Sequence, residues 1–135
     1  MVELKDACVI VVEDDPSTLL LEMELLEKAG VGRCEGRATG WQAIDLARGE
    51  QKVDLILLDI GLAYEDGCDV VRKIKEDPRL KDILVVAVTA HTDPDDLKRA
   101  REAGCDGFIG KPLSPTRLPH QIRRILQGEQ VWEIT

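Results

Sequence analysis

The chain has 135 residues, 44% hydrophobic but only 3% aromatic, enough for one ordinary domain with an aliphatic core. Twenty-six acids against 18 bases leave a formal charge of -8. That sign argues against direct binding to nucleic acid or an anionic membrane and points to metal cations or basic protein faces. No apolar run approaches the roughly 20 residues that span a bilayer, and Met1-Val2-Glu3-Leu4-Lys5-Asp6 lacks the apolar stretch of a signal peptide. A cytoplasmic protein is expected. Cys8, Cys34, Cys68 and Cys105 form no CxxC or Cys/His cluster and are expected to be reduced, packed thiols.

Short aliphatic runs alternate with segments of helical period. Ala7 to Val12 is a continuous apolar run, the mark of a strand buried on both faces. It stops at Glu13-Asp14-Asp15-Pro16-Ser17. Leu19, Met23 and Leu26 then recur at helical spacing, with Gly30 as the stop. A weaker strand is expected over Cys34 to Ala38, and a short helix over Trp41 to Arg48, ended by Gly49. Asp54 to Asp59 is the clearest strand, and a loop leads from it to Gly67. Cys68 to Lys75 follows as a helix with Val70, Val71 and Ile74 on one face. Ile83 to Val88 is again a buried-strand run. Asp93-Pro94 reads as an N-cap followed by Pro at the first helical position, and that helix should end at Gly104. Gly107 to Ile109 is a short strand before Lys111-Pro112. A last helix aligns Leu118, Ile122, Ile125 and Leu126, and Gly128 closes it.

Five strands alternating with five helices predict a parallel sheet covered on both faces by right-handed crossovers. Ligands of such sheets sit outside the carboxyl ends of the strands. Glu13, Asp14 and Asp15 follow the first strand, Asp59 the third, Thr89 the fourth and Lys111 the fifth. Carboxylates gathered at one edge repel: at ~5 Å and an effective dielectric of ~20, each pair costs about 3 kcal/mol. A hard divalent cation relieves that cost, and an all-oxygen set without His or Cys suits magnesium. Glu13, Asp14 and Asp59 can supply carboxylates, and the Gly61 carbonyl a further oxygen. A lysine beside a cation makes sense only if another anion arrives, and phosphate is the natural candidate. Lys111 is aimed by the extended backbone that a following proline imposes, and Thr89 adds a hydroxyl donor. There is no GxxxxGK[ST] loop to cradle a nucleotide. A carboxylate beside magnesium can itself attack phosphorus, and Asp59 is best placed to do so.

These residues resemble the receiver domains of two-component response regulators over about residues 6 to 127. The resemblance rests on Val11-Val12-Glu13-Asp14-Asp15, on Asp54-Leu55-Ile56-Leu57-Leu58-Asp59 leading to Asp66-Gly67, on Val88-Thr89-Ala90, and on Gly104 through Lys111-Pro112, all in order. It implies a flavodoxin-like (βα)5 three-layer sandwich, its five-stranded parallel sheet in the order 2-1-3-4-5; a chemotaxis receiver is a standard example of that order. Residues 1–128 would form the receiver domain and residues 129–135 a C-terminal tail. Asp59 would accept a phosphoryl group from a sensor histidine kinase or phosphotransfer protein. Glu13, Asp14, Asp59 and the Gly61 carbonyl would hold Mg2+, while Thr89 and Lys111 would grip phosphoryl oxygens. Phe108 falls at the family's aromatic switch position, although as the only Phe beside a strand it also reads as plain core. Ala63 stands where the family usually has proline. Gly61 and His91 occupy the two positions associated with the rate of phosphoryl loss, and a bare glycine implies weaker shielding from water.

Three function classes follow. The first is a phosphorylatable switch whose mobile readout is the helix of Pro94 to Ala103, with the last helix beside it. It would act on a downstream effector protein or output domain, with a homodimer also compatible. The second is a phosphorylation-independent docking adaptor with the same fold, for which the joint presence of Glu13, Asp14, Asp59, Thr89 and Lys111 has no physical need. The third is a small enzyme, either a flavin carrier or a phosphohydrolase. It is disfavoured by the shortage of stacking aromatics and of a separate general acid, so no enzyme activity beyond self-phosphorylation and self-dephosphorylation is expected. Trp41 and Trp132 lie outside the motifs, Trp132 reading equally as a packing or a partner contact.

Overall fold

The computed structural model describes residues 2–49, 51–90 and 92–134. After a 3-10 turn at Leu4–Asp6, the chain runs through β1 (Cys8–Val12), α1 (Pro16–Ala29), β2 (Arg33–Arg37), α2 (Gly40–Ala47) and β3 (Leu55–Leu58). It continues with α3 (Gly67–Glu76), β4 (Leu84–Thr89), α4 (Pro94–Ala103), β5 (Gly107–Gly110), α5 (Leu118–Leu126) and β6 (Trp132–Glu133). All strand pairs are parallel, in the order β2-β1-β3-β4-β5-β6. The doubly wound flavodoxin-like fold and its 2-1-3-4-5 order are thus as expected. The sixth strand is an addition. It lies in the segment expected as a tail, and two residues are too few to show a strand period.

The continuous apolar runs are explained by burial on both sides of the sheet. Alternate side chains of β1 and β3 point to opposite faces. Ile10, Val12, Ile56 and Leu58 meet Ala43, Ile44, Val70, Val71 and Ile74 of α2 and α3. Val9, Val11, Leu55 and Leu57 face Leu26 of α1 and Leu118, Ile122 and Ile125 of α5. Two layers of core therefore sandwich the sheet.

Each of the first four helices is capped by the residue the local chemistry favours. Asp15, Thr39, Asp66 and Asp93 accept hydrogen bonds from the amides of Thr18, Gln42, Cys68 and Asp96. Pro16 and Pro94 occupy first-turn positions. Gly30 and Gly104 end α1 and α4 with φ of 101° and 106°, the left-handed conformation that glycine adopts without penalty. The two aspartates that flank β3 keep their amides on the β1 side, Asp54 donating to the Cys8 carbonyl at 3.0 Å and Asp59 to the Val12 carbonyl at 3.1 Å, while the Asp54 carboxylate accepts from the Cys8 amide at 2.9 Å. The four cysteines are free thiols, three of them buried.

Candidate functional site

β1, β3, β4 and β5 all deliver polar residues to one edge of the sheet. Glu13 directly follows β1 and is almost fully buried, at 3% exposure. Its amide is fixed on the Arg37 carbonyl at 3.1 Å, and one carboxylate oxygen accepts from the Asp15 amide at 3.1 Å. Asp14, half-buried, accepts from the amide of Ala63 at 2.7 Å, which ties the loop after β3 to the loop after β1. The Asp59 amide bonds to the Val12 carbonyl at 3.1 Å. Its side chain accepts from the Gly61 amide at 2.8 Å. Oxygens of Glu13, Asp14 and Asp59 lie within 4.8 Å of one another. Asp15 stands apart, exposed and engaged as the cap of α1.

Lys111 reaches this cluster from the end of β5, next to the cis Lys111–Pro112 peptide bond. Its ammonium donates to Glu13 and to Asp59, the latter at 3.1 Å. Glu22 lies 3.6 Å away, close enough for ion contact but beyond a hydrogen bond. Burial pulls the Lys111 pKa down, but the hydrogen bond to Glu13 and the charges of Asp59 and Glu22 outweigh it and hold it above the ordinary lysine range. Thr89 is fully buried as the last residue of β4, beside Gly110 in the sheet register, and its carbonyl accepts from the Lys111 amide at 3.0 Å. Thr89 and Lys111 are therefore fixed to each other through the backbone. Phe108 is fully buried in β5, its ring stacked on Trp132 with centroids 6.3 Å apart. His91 lies outside the described residues.

The expected residues Glu13, Asp14, Asp59, Thr89 and Lys111 thus stand at one sheet edge, with Gly61 in the adjoining loop. Glu22 was missed. It sits on the buried stripe of α1 with Leu26, and burial raises its pKa to about 7. An acid three residues after Leu19 and four before Leu26 was the available signal. Chemically, the pocket offers an all-oxygen set suited to a hard cation. It also offers a carboxylate, Asp59, within reach of both that cation and a fixed ammonium.

Comparison with known proteins shows the family of the chain. Residues 9–123 match the model of the response regulator receiver domain. The polar-differentiation response regulator DivK of Brucella anthropi is 39% identical over 118 residues, covering 87% of this chain and 94% of that protein. The Brucella ovis protein of the same name is equally similar. Among solved structures, a LuxR-family two-component response regulator from Aurantimonas superposes with a TM-score of 0.82 at 25% identity, covering 93% of this chain and 88% of that one. The chemotaxis response regulator CheY4 of Vibrio cholerae, 24% identical, shares the fold with a TM-score of 0.78 over 88% of this chain and 98% of its own. From the acidic edge to the lysine that closes it, this chain belongs to the response regulator receiver domain family.

Proposed function

We propose that the chain is a phosphorelay switch that accepts a phosphoryl group on Asp59 from a sensor histidine kinase or phosphotransfer protein. The observation that carries this reading is the Lys111 ammonium, shared between Glu13 and Asp59 at the carboxyl ends of neighbouring strands. An Asp59 oxygen attacks phosphorus of a phosphohistidine, the P–N bond breaks, and its electron pair leaves with the imidazole. The product is an acyl phosphate on Asp59. Magnesium, when held by Glu13, Asp14, Asp59 and the Gly61 carbonyl, supplies positive charge that offsets both the carboxylate repulsion and the phosphoryl oxygens. Lys111 moves from its carboxylate partners to a phosphoryl oxygen, and the Thr89 hydroxyl donates to another.

Phosphorylation adds about -1.5 to -2 charge and three acceptor oxygens. Because Thr89 and Lys111 are joined through the backbone, their new partners bias β4, β5 and the loop to α4 together. Helix α4 buries only Ala100 and Ala103 and is suited to a mobile readout for a downstream effector, with Phe108 beside it as the switch. Leu20 and Leu21 of α1, 64% and 56% exposed, offer an apolar surface on which the donor docks. Such a switch works in the cytoplasm, and no described helix is long and apolar enough to cross a membrane. Fluorine NMR with beryllofluoride and magnesium tests the reading. A bound signal in wild type, lost in Asp59→Asn, is expected, whereas indifference of the wild type would favour the docking adaptor.

A further inference from the structure

Helices α2 and α3 lie side by side on one face of the sheet, and a cleft of about 460 Å³ runs between them, within the size range of ligand pockets. Trp41, Asp45 and Arg48 recur at i, i+4 and i+7 along α2 and its end, forming one wall about 10 Å long. Lys73 of α3 and Asp77 just after it line the other wall. Ile44 and Val70 are nearly buried and give the cleft an apolar floor. Gly40 permits a close approach of the helices at the end nearest the loop after β3, where a Cβ would overlap the Val70 side chain.

The two ends of the cleft differ in charge. At the far end Arg48 holds Asp77 through Nε and Nη2, each at 3.0 Å, and Asp77 also accepts from the Arg79 amide at 2.8 Å. That pair is complete. At the near end Trp41 stands 67% exposed, with Asp45 one turn along the same helix. Glu65 arrives from the loop after β3, and one of its carboxylate oxygens accepts from the Gly40 amide. Neither Asp45 nor Glu65 has an ion-pair partner among the described residues, although both line the cleft. Lys73, exposed on the facing wall, pairs with no carboxylate among them either.

We propose that the near end of the α2–α3 cleft binds an arginine side chain of a partner protein, its guanidinium meeting Trp41 between the Asp45 and Glu65 carboxylates. Charge and shape select that occupant. A tryptophan face attracts a cation, and two carboxylates without a base complete its charge. A planar guanidinium can stack on the ring and fork to a carboxylate together, which a compact, strongly hydrated ammonium cannot. The aliphatic stem of arginine covers the Ile44–Val70 floor. Free arginine would bring its own carboxylate beside Asp45 and Glu65, whereas an arginine within a chain does not. The chain's net charge of -8 draws basic protein surfaces toward it at long range. The proposal stands independently of phosphoryl transfer at Asp59.

The test titrates the peptide acetyl-Gly-Arg-Gly-Arg-Gly-amide into the full chain, following the indole N–H signal of Trp41 with that of Trp132 as reference. A saturable shift of Trp41 alone is expected. Trp41→Ala, followed through the Ile44 and Asp45 amides, should weaken binding about tenfold, as should Asp45→Asn with Glu65→Gln. The glutamine keeps an acceptor for the Gly40 amide, and all three positions lie outside the core. Lys73→Gln should tighten binding about threefold by removing a competing cation. Glu3→Gln with Glu102→Gln removes the same two charges from exposed sites elsewhere and should leave the affinity unchanged. Absence of saturable binding would overturn the proposal. Equal weakening by the Glu3 and Glu102 pair would reduce the effect to net charge and overturn it too. Equal affinity for a peptide with lysine in place of arginine would overturn the choice of guanidinium.

Discussion

Glu22 is the side chain whose replacement most sharply tests the electrostatics of the pocket. It is 5% exposed on α1, and one carboxylate oxygen lacks a hydrogen-bond partner. Burial is the largest influence on it, and Lys111 only partly compensates, so its pKa stands at about 7 against 4.5 for an ordinary glutamate. The folded chain then holds this proton more tightly than the unfolded chain. The stability it contributes is complete below about pH 4.5 and is lost as pH rises through about 7. At about 1.4 kcal/mol per pH unit, ionising Glu22 costs the fold about 3 kcal/mol. Glu22→Gln keeps the shape and removes the titration. Urea unfolding of both chains should give similar stability at pH 4.5, with the variant ahead at pH 8 by up to about 3 kcal/mol. Lys111 keeps Glu13 and Asp59 in either case. A variant less stable than wild type at pH 8 would refute the reasoning, because Glu22 would then be an ionised partner that Lys111 needs.

Lys111→Met should leave Glu13, Glu22 and Asp59 facing one another, a loss of about 3–5 kcal/mol as for other broken buried pairs. Magnesium should restore more stability to this variant than to wild type in the same unfolding assay, and equal stability of the two chains without magnesium would contradict the arrangement. Gly61→Asn should lengthen the half-life of the phosphoryl group by shielding it from water, measured as decay of the phosphorylated mass, and an unchanged half-life would dismiss the shielding idea. Burial pushes the thiols of Cys34 and Cys105 up to about 12, so about one in ten thousand is thiolate at pH 8. Iodoacetamide should therefore label both slowly in the native chain and readily after unfolding, whereas rapid native labelling would contradict their raised pKa.

Much of this molecule could be read before its structure was known, and the reasons are local. β1, β3 and β4 are buried on both faces, so their apolar runs are unbroken and hard to mistake. β2 reads Arg-Cys-Glu-Gly-Arg, an edge strand with no such run, and the expected span was displaced by one residue. Asp54 and Asp59 were expected at the ends of a longer strand; β3 itself spans Leu55–Leu58, and both aspartates still donate their amides to carbonyls on the β1 side. The site was legible because a parallel sheet sends every strand end to one edge, which turns positions in the chain into neighbours.

Three features were not legible, each for its own reason. Glu22 was hidden because an amphipathic helix is read from its apolar residues, not from the acid lodged among them. The pairing of β6 depends on contacts with β5 and α5 that two residues cannot announce. Trp132, equally readable as packing or partner contact, packs within the chain on Phe108 and Arg101. Trp41 instead stands 67% exposed on α2.

The central claim, phosphoryl acceptance by Asp59, is tested most directly by intact-protein mass after treatment with acetyl phosphate and magnesium. Wild type should gain one phosphoryl group, only when magnesium is present, and Asp59→Asn should gain none. A gain that persists in Asp59→Asn would contradict the assignment of the acceptor. No gain by a wild-type chain that also fails to bind beryllofluoride would contradict the switch itself.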